Sequence, residues 1–448
     1  MEEEDARQRA PGVRHDDPRR PHRLRRQRAR LPGLAHGRRL RGSPMRRLGL
    51  VLAFGALSAG AQEIYDLLIK NGHVIDPKNG RNGRLDVAVV STRIAKVGRD
   101  LPAACARNVI DAGGYYVTPG LIDIHAYLDP SGPGRGLNPD HNTLRYGVTT
   151  AVDAGSTGWK TFEPFRQKVI DRAAVRLLAF LNIAASGAVG EGAGAGELDV
   201  DAAVAMVRKY PRQIVGLKAV LSDSRDWRAV DQAVQAAERT GGVVMADWRL
   251  ETGEGHRELL LERLRPGDIL TQVYGRLTPL LDPSKTLPPY FLDARRRGLL
   301  FDVGHGAAGF WFRIAAPALE QGFLADTISS GLDKASVMLP GATLTNVMSK
   351  LLNLGLTLEQ VIERTTVHAA RAIRRPELGT LEEGGEADIA VLALERGRFA
   401  FLDSGRAKLT GEVRLRCALT VRAGSVVWDP DGLDAEDWRE AGPYSNFK

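Results

Sequence analysis

The stretch GLIDIHAYL, residues 120–128, ends an apolar run in His125 and carries Tyr127 two residues further on. Side chains alternate along a strand, so positions 125 and 127 face one side. Other groups able to do chemistry close later apolar runs: Lys218 in VGLKAV, Asp247 in VVMADWR, Gln272 in DILTQVYG and His305 in DVGHG. A further carboxylate, Asp333, follows Gly331 by two in ISSGLD. Imidazole and carboxylate donors gathered at strand ends suit a zinc ion, which activates water for attack on an amide or ester carbonyl. A lysine inside such a pocket needs a partner. Asp247 is the expected neutralising partner of Lys218, and the pocket is expected to hold an anion.

These residues must be held by a scaffold, and the chain supplies the pattern of one. Eight apolar runs recur after Pro119: GLIDIHAY, GVTTAVDAG, RLLAFLNIA, QIVGLKAVL, GGVVMADWR, GDILTQVYG, GLLFDVGHG and DTISSGLD. Helical patterns such as DVDAAVAMVRKYP, DWRAVDQAVQAAERTGG and RELLLERLRPG separate them. Strand and helix in alternation predict an α/β fold, a (β/α)8 TIM barrel, with an open doubly wound sheet as the alternative. Shorter β-runs flank this region on both sides. They predict a small β-sandwich domain built from both ends of the chain, residues 63–115 and 377–430, around a barrel at 116–376 and before a tail at 431–448. Asn71-Gly72 and Asn79-Gly80 read as hairpin turns.

The net charge of +8 does not imply a nucleic-acid partner, because residues 1–44 hold thirteen arginines against six acidic residues and so account for +7 of it. That Arg-rich stretch lacks a hydrophobic period. It precedes MRRLGLVLAFGALSAGAQ, in which Met45 starts a positive n-region, an apolar h-region follows and Ala59-Gly60-Ala61 offers a cleavage site. Residues 45–61 therefore read as a signal peptide, residues 1–44 as an upstream over-read, and the mature protein as exported, periplasmic or secreted, with no membrane span. Cys105 and Cys417 are too few for a disulfide framework, and free buried thiols are expected, a bridge between them being the alternative. Of the other histidines after the signal, His73 and His368 read as structural or surface residues, and His141 and His256 as loop residues.

With the strands in place, VTPGLIDIHAY, GVTTAVDAGS, IVGLKAVL, LRPGDILTQVYG, FDVGHGAAGFWF, ADTISSGLD, NVMSKLLNLGLTLEQVI and GTLEEGGEADIAVL follow one another in an order that resembles the amidohydrolase superfamily, in its dihydroorotase-like amidohydrolase/deacetylase branch. The resemblance implies a barrel with zinc at its mouth. Its ligands would be an H-x-H pair on the first strand, a lysine, often carboxylated, on the fourth, histidines on the fifth and sixth, and an aspartate on the eighth that also moves the proton. His125 and Lys218 occupy the first histidine and the lysine positions. Tyr127, Asp247, Gln272 and Gly331 stand where the second, third and fourth histidines and the aspartate are implied. For His305 the resemblance implies substrate contact, with a hydrogen-bonded structural histidine as the alternative.

A carboxamide is a poor zinc ligand, a phenol must lose a proton near a pKa of about 10, and glycine accepts no proton. Asp247 could bind a harder ion, and Asp333 could rescue the lost aspartate only if the strand end were rebuilt. The expectation is thus a hydrolase of non-peptide carbon–nitrogen or ester bonds by ancestry, impaired or inactive, whose pocket binds a small-molecule amide, ester or carboxylate. Two alternatives stand beside it. One is an active hydrolase with a mononuclear site of His125, Lys218 and Asp247; the other is a non-catalytic binding or regulatory subunit, for which a homo-oligomer is compatible. If the alignment is right, Tyr127→His, Asp247→His, Gln272→His and Gly331→Asp together should restore metal uptake.

Overall fold

A computed structural model describes residues 64–132, 134–188, 197–223, 226–249, 255–277 and 280–443. The Arg-rich stretch and the signal-peptide reading lie outside these residues. Among the described residues no helix is long and apolar enough to cross a membrane.

The first seven strands are β1 (Tyr65–Lys70), β2 (His73–Asp76), β3 (Arg81–Arg84), β4 (Asp86–Val90), β5 (Arg93–Gly98), β6 (Ala106–Asp111) and β7 (Tyr116–Pro119). Seven more run in parallel: β8 (Leu121–Ala126), β9 (Val148–Gly158), β10 (Arg176–Asn182), β11 (Ile214–Leu221), β12 (Val243–Trp248), β13 (Ile269–Leu270) and β14 (Leu300–Phe301). The last three are β15 (Ile389–Leu402), β16 (Lys408–Arg422) and β17 (Ser425–Trp428).

Early and late strands share a sheet in the order β17-β16-β15-β7-β2-β3, and β5-β4-β1-β6 form a second. Leu67 and Val87 from one sheet and Val117, Ile389 and Leu419 from the other meet in a single buried cluster, so the two sheets face each other across one core. β7 pairs with β15 through Val117 and Val391, which puts the last residues before the parallel strands into this domain. Asn79-Gly80 does turn the hairpin between β2 and β3. Asn71-Gly72 does not make a hairpin: β1 and β2 belong to different sheets, and the dipeptide is the corner between them. Asn71 is left-handed at φ 63, and a Cβ on Gly72 would lie 2.4 Å from Val117 Cγ2, so glycine is required by the close approach of the sheets.

The parallel strands follow one another without crossover, in the order β14-β13-β12-β11-β10-β9-β8. Their residues are buried along nearly the whole length, which is why they read as continuous apolar runs. The eighth run is not a regular strand. It is joined to both edges of the sheet, through a parallel bridge from Thr327 to Asp302 and another from Leu332 to Ala126. Tyr127 N donates to Leu332 O at 2.8 Å, and Gly306 N to Ser330 O at 2.8 Å. Asp123 helps hold this segment, accepting from Ser330 N at 3.0 Å, and burial raises its carboxyl to about 7. The helices Val200–Lys209, Arg228–Thr240 and Gly255–Arg263 fall where the sequence predicts them. Cys105 and Cys417 are both buried, in different clusters, and no disulfide joins them.

Candidate functional site

The expected site residues come together where the parallel strands end. Tyr127 follows β8, and its ring lies 5.6 Å from that of His125. Lys218 on β11 and Asp247 on β12 approach to 3.9 Å, both fully enclosed. Gln272 adjoins Thr271, which is hydrogen-bonded to His125, and Gly331 N donates to His125 O at 2.7 Å. Tyr127, Gln272, Gly331 and Asp333 share the wall of one cavity of about 260 Å³, with His125, Lys218 and Asp247 buried beside them.

The imidazole of His125 is oriented by a chain of hydroxyls. Asp302 accepts from Thr271 Oγ1 at 2.7 Å, Thr327 Oγ1 at 2.7 Å and Ser329 Oγ at 2.6 Å. The Thr271 hydroxyl proton is engaged in the hydrogen bond to Asp302, so its oxygen accepts from His125 Nδ1 at 2.7 Å. Nε2 then carries a lone pair and has no partner. Burial, with Lys218 adding to it, lowers the pKa of this imidazole and keeps it neutral.

The ion pair beside it differs from the expected one. Lys218 Nζ makes no hydrogen bond, and the closer partner of Asp247 is Arg249, whose Nε and Nη2 donate to Oδ2 at 3.2 and 3.0 Å. Nη2 also reaches Tyr127 Oη at 3.3 Å. Burial works to raise the carboxyl of Asp247, but Arg249 and then Lys218 outweigh it and hold the group below its usual range. Burial pulls Lys218 down to about 8 against the attraction of Asp247. It also pushes the Tyr127 phenol up to about 12, so the hydroxyl stays protonated. Arg249 follows Asp247 by two residues and shares its face of the strand, a signal present in DWR that the search for metal donors passed over.

Tested against zinc, this donor set does not fit. One imidazole nitrogen, one carboxylate oxygen and the amine of Lys218 are open, but that amine holds its proton below about 8, Tyr127 is a neutral phenol, Gln272 a carboxamide and Gly331 has no side chain. A guanidinium already holds the other oxygen of Asp247. Among the described residues no three His, Cys, Asp or Glu side chains converge as a metal shell would require. Restoring the family pattern also meets a backbone obstacle: at Gly331 φ is +59, and a Cβ there would lie 2.4 Å from Gly306 N. Gly331→Asp would therefore strain the backbone at this position.

Asp333 lies on the cavity wall, but its Oδ1 accepts from Ala335 N at 3.0 Å, Ser336 N at 2.9 Å and Ser336 Oγ at 2.8 Å, while Oδ2 faces Arg135 at 3.4 Å. It is a turn-capping carboxylate. His305 is fully buried, stacked on Phe310 at 4.8 Å, with Nδ1 donating to Gly306 O at 2.9 Å and Nε2 accepting from Lys350 Nζ at 2.8 Å. Burial and then Lys350 lower its pKa well below the ordinary value, and burial brings Lys350 itself to about 7. Lys350 lies 45 residues from His305, on the helix Leu344–Asn353, and no spacing rule links the two. Elsewhere His73 is exposed and meets Asn82, His141 is exposed, and His368 is half-buried near Glu363; the side chain of His256 is outside the described set.

No protein-family model matches the chain. A deacetylase of Agrobacterium fabrum is 30% identical over 312 residues, 67% of this chain and 76% of the relative. A deacetylase of Enterococcus faecalis is 26% identical over 371 residues, 81% of this chain and 99% of the relative. Among solved structures, an adenine deaminase superposes with a TM-score of 0.76 at 26% identity, covering 82% of this chain and 100% of that one. A dihydroorotase gives a TM-score of 0.73 at 26% identity, covering 81% and 99%. The chain belongs to the amidohydrolase superfamily, in its dihydroorotase-like amidohydrolase/deacetylase branch.

Proposed function

We propose that this protein is an amidohydrolase-fold binding protein in which a fixed ion-pair cluster has replaced the metal centre, so that a small amide, ester or carboxylate is held without hydrolysis by the metal-activated route. The observation that carries this reading is the guanidinium of Arg249, hydrogen-bonded to both Asp247 and Tyr127. It brings a permanent positive charge to two of the positions where ligands to an ion would stand. Arginine keeps that charge at every accessible pH and cannot activate water as a Lewis acid does. Gly331 offers no proton acceptor at the aspartate position, and general acid–base catalysis alone is worth roughly 10²–10⁴-fold.

What the residues can still do is bind and orient. Tyr127 Oη, the free donors of Arg135 and Arg249, and the backbone of Gly306, Ala307 and Ala308 border the 260 Å³ cavity and suit a polar ligand. On this reading the segment from Thr327 to Leu332 supplies the eighth strand of the barrel, and the protein is exported and free to form a homo-oligomer.

The test is metal content of the purified full chain, measured alongside hydrolysis of acetyl-amide substrates. Metal well below one ion per chain and no turnover are expected. Stoichiometric zinc or manganese with turnover would overturn the proposal in favour of a second reading, a mononuclear site of His125, Asp247 and neutral Lys218. That second reading has one specific observation behind it: His125 Nε2, Lys218 Nζ and Asp247 Oδ1 are three buried polar atoms without partners.

A further inference from the structure

Beside the expected site is a larger cavity of about 360 Å³, bounded by the end of β9, the segments that follow β8, β9 and β10, and Arg249 just after β12. Tyr127, Arg135 and Arg249 line both cavities, so they form the wall between them. We propose that the larger cavity binds a small organic anion, its carboxylate or phosphate held by Arg135 and Arg249 and its apolar body against Phe165. The inference deepens the reading above by naming a ligand class.

Four cationic side chains line this cavity: Arg135, Lys160, Lys168 and Arg249. Among the described lining residues Asp129 is the only carboxylate, and its Oδ1 is already occupied by Ser131 N at 3.0 Å and Ser131 Oγ at 2.6 Å. The carboxylates that neutralise three of the cations, Asp247, Asp333 and Glu197, are not on the lining. Donors therefore face the cavity while their countercharges lie behind them.

Those donors are not exhausted. Arg249 uses Nε and Nη2 on Asp247 and Tyr127, leaving Nη1; Arg135 uses only Nη1, in a long contact of 3.4 Å. Guanidinium groups with such free edges match carboxylate and phosphate oxygens.

The cavity is also built to persist. A Cβ on Gly136 would lie 1.9 Å from Asp129 O, and one on Gly158 would lie 1.8 Å from Ala184 O, so backbone packs directly on backbone around it. Its volume falls within the range of small-molecule sites.

Calorimetric titration of the full chain with benzoate, phenyl phosphate and neutral benzamide tests the inference. One of the anions should bind at least roughly tenfold more tightly than benzamide, the loss expected for one charge-assisted hydrogen bond. Whichever anion binds more tightly identifies the recognised group as carboxylate or phosphate. Arg135→Gln, on a side chain 38% exposed and so tolerated by the fold, should weaken the anion roughly tenfold while benzamide is unchanged. Equal binding of anion and benzamide, no anion binding at millimolar concentration, or an unaffected Arg135→Gln variant would overturn it. Metal content decides the earlier reading independently of these affinities.

Discussion

Two buried histidines stand at the ends of the first and seventh strand runs, and they have opposite surroundings. His305 has both nitrogens engaged, by Gly306 and Lys350, with Phe310 stacked on its face. His125 is aimed with equal care by Thr271 and Asp302, yet its Nε2 ends in no partner. The difference separates a histidine with both nitrogens engaged from one whose Nε2 is left open. The support beneath His125 also ties the eighth run to the sheet through Thr327 and Ser329.

The strongest way to break the comparison is Asp302→Ala. Three buried hydroxyls would lose their acceptor, and the free energy of unfolding should fall by about 3–5 kcal/mol in a urea titration. A loss under about 1 kcal/mol would mean that the hydroxyl chain does not hold His125.

Arg249→Ala comes next. It strands a buried carboxylate with only Lys218 at 3.9 Å, and the usual cost of about 3–5 kcal/mol is discounted to about 2 because the guanidinium is 23% exposed. Pairing it with Asp247→Leu should recover most of the loss. Failure of the double variant to recover would show that the ion pair is not the source of the effect.

The Lys350–His305 side is sharpened by pH. The amine of Lys350 falls from 10.5 to about 7 on folding, so between those values the unfolded chain binds more protons. Stability should therefore rise as pH goes up from 7 towards 10.5, by at most about 1.4 kcal/mol per pH unit, and the gain should be lost as pH falls through 7. Lys350→Met should remove that part of the slope; an identical slope in the variant would refute the assignment.

Smallest in energy is the state of the two rings themselves. Both should remain neutral with the proton on Nδ1 where an ordinary histidine titrates, near 6.5. Nitrogen chemical shifts read this directly, and an imidazolium signal at neutral pH from either ring would contradict the hydrogen-bond chains drawn above.

Much of the scaffold was legible because burial on both faces writes a strand as an unbroken apolar run. The runs containing Lys218 and Asp247 became full strands, while those ending in Gln272 and His305 shrank to Ile269–Leu270 and Leu300–Phe301. Shortening of this kind depends on the neighbouring strands, which the run itself does not encode. The substituted positions were legible too, through the order of the motifs. Arg249 was within reach of the period-two rule and was missed because a cation is not a metal ligand. Lys350 was beyond reach, since its approach to His305 is made by a helix packing from far along the chain. Asn71-Gly72 misled for a related reason: a left-handed Asn followed by Gly suits a hairpin and a corner between sheets equally, and only the partners of β1 and β2 separate them.

The amino-acid sequence by itself determined which side chains stand at the strand ends, because alternation along a strand is local and needs no partner. It determined equally that a phenol, a carboxamide and a bare glycine are among the groups standing there. Only the tertiary structure decided which charges meet. The capture of Asp247 by Arg249, the closing of His305 by Lys350 and the unpaired nitrogen of His125 all arise from distances between separate elements, and electrostatic energy in a buried site is set by those distances.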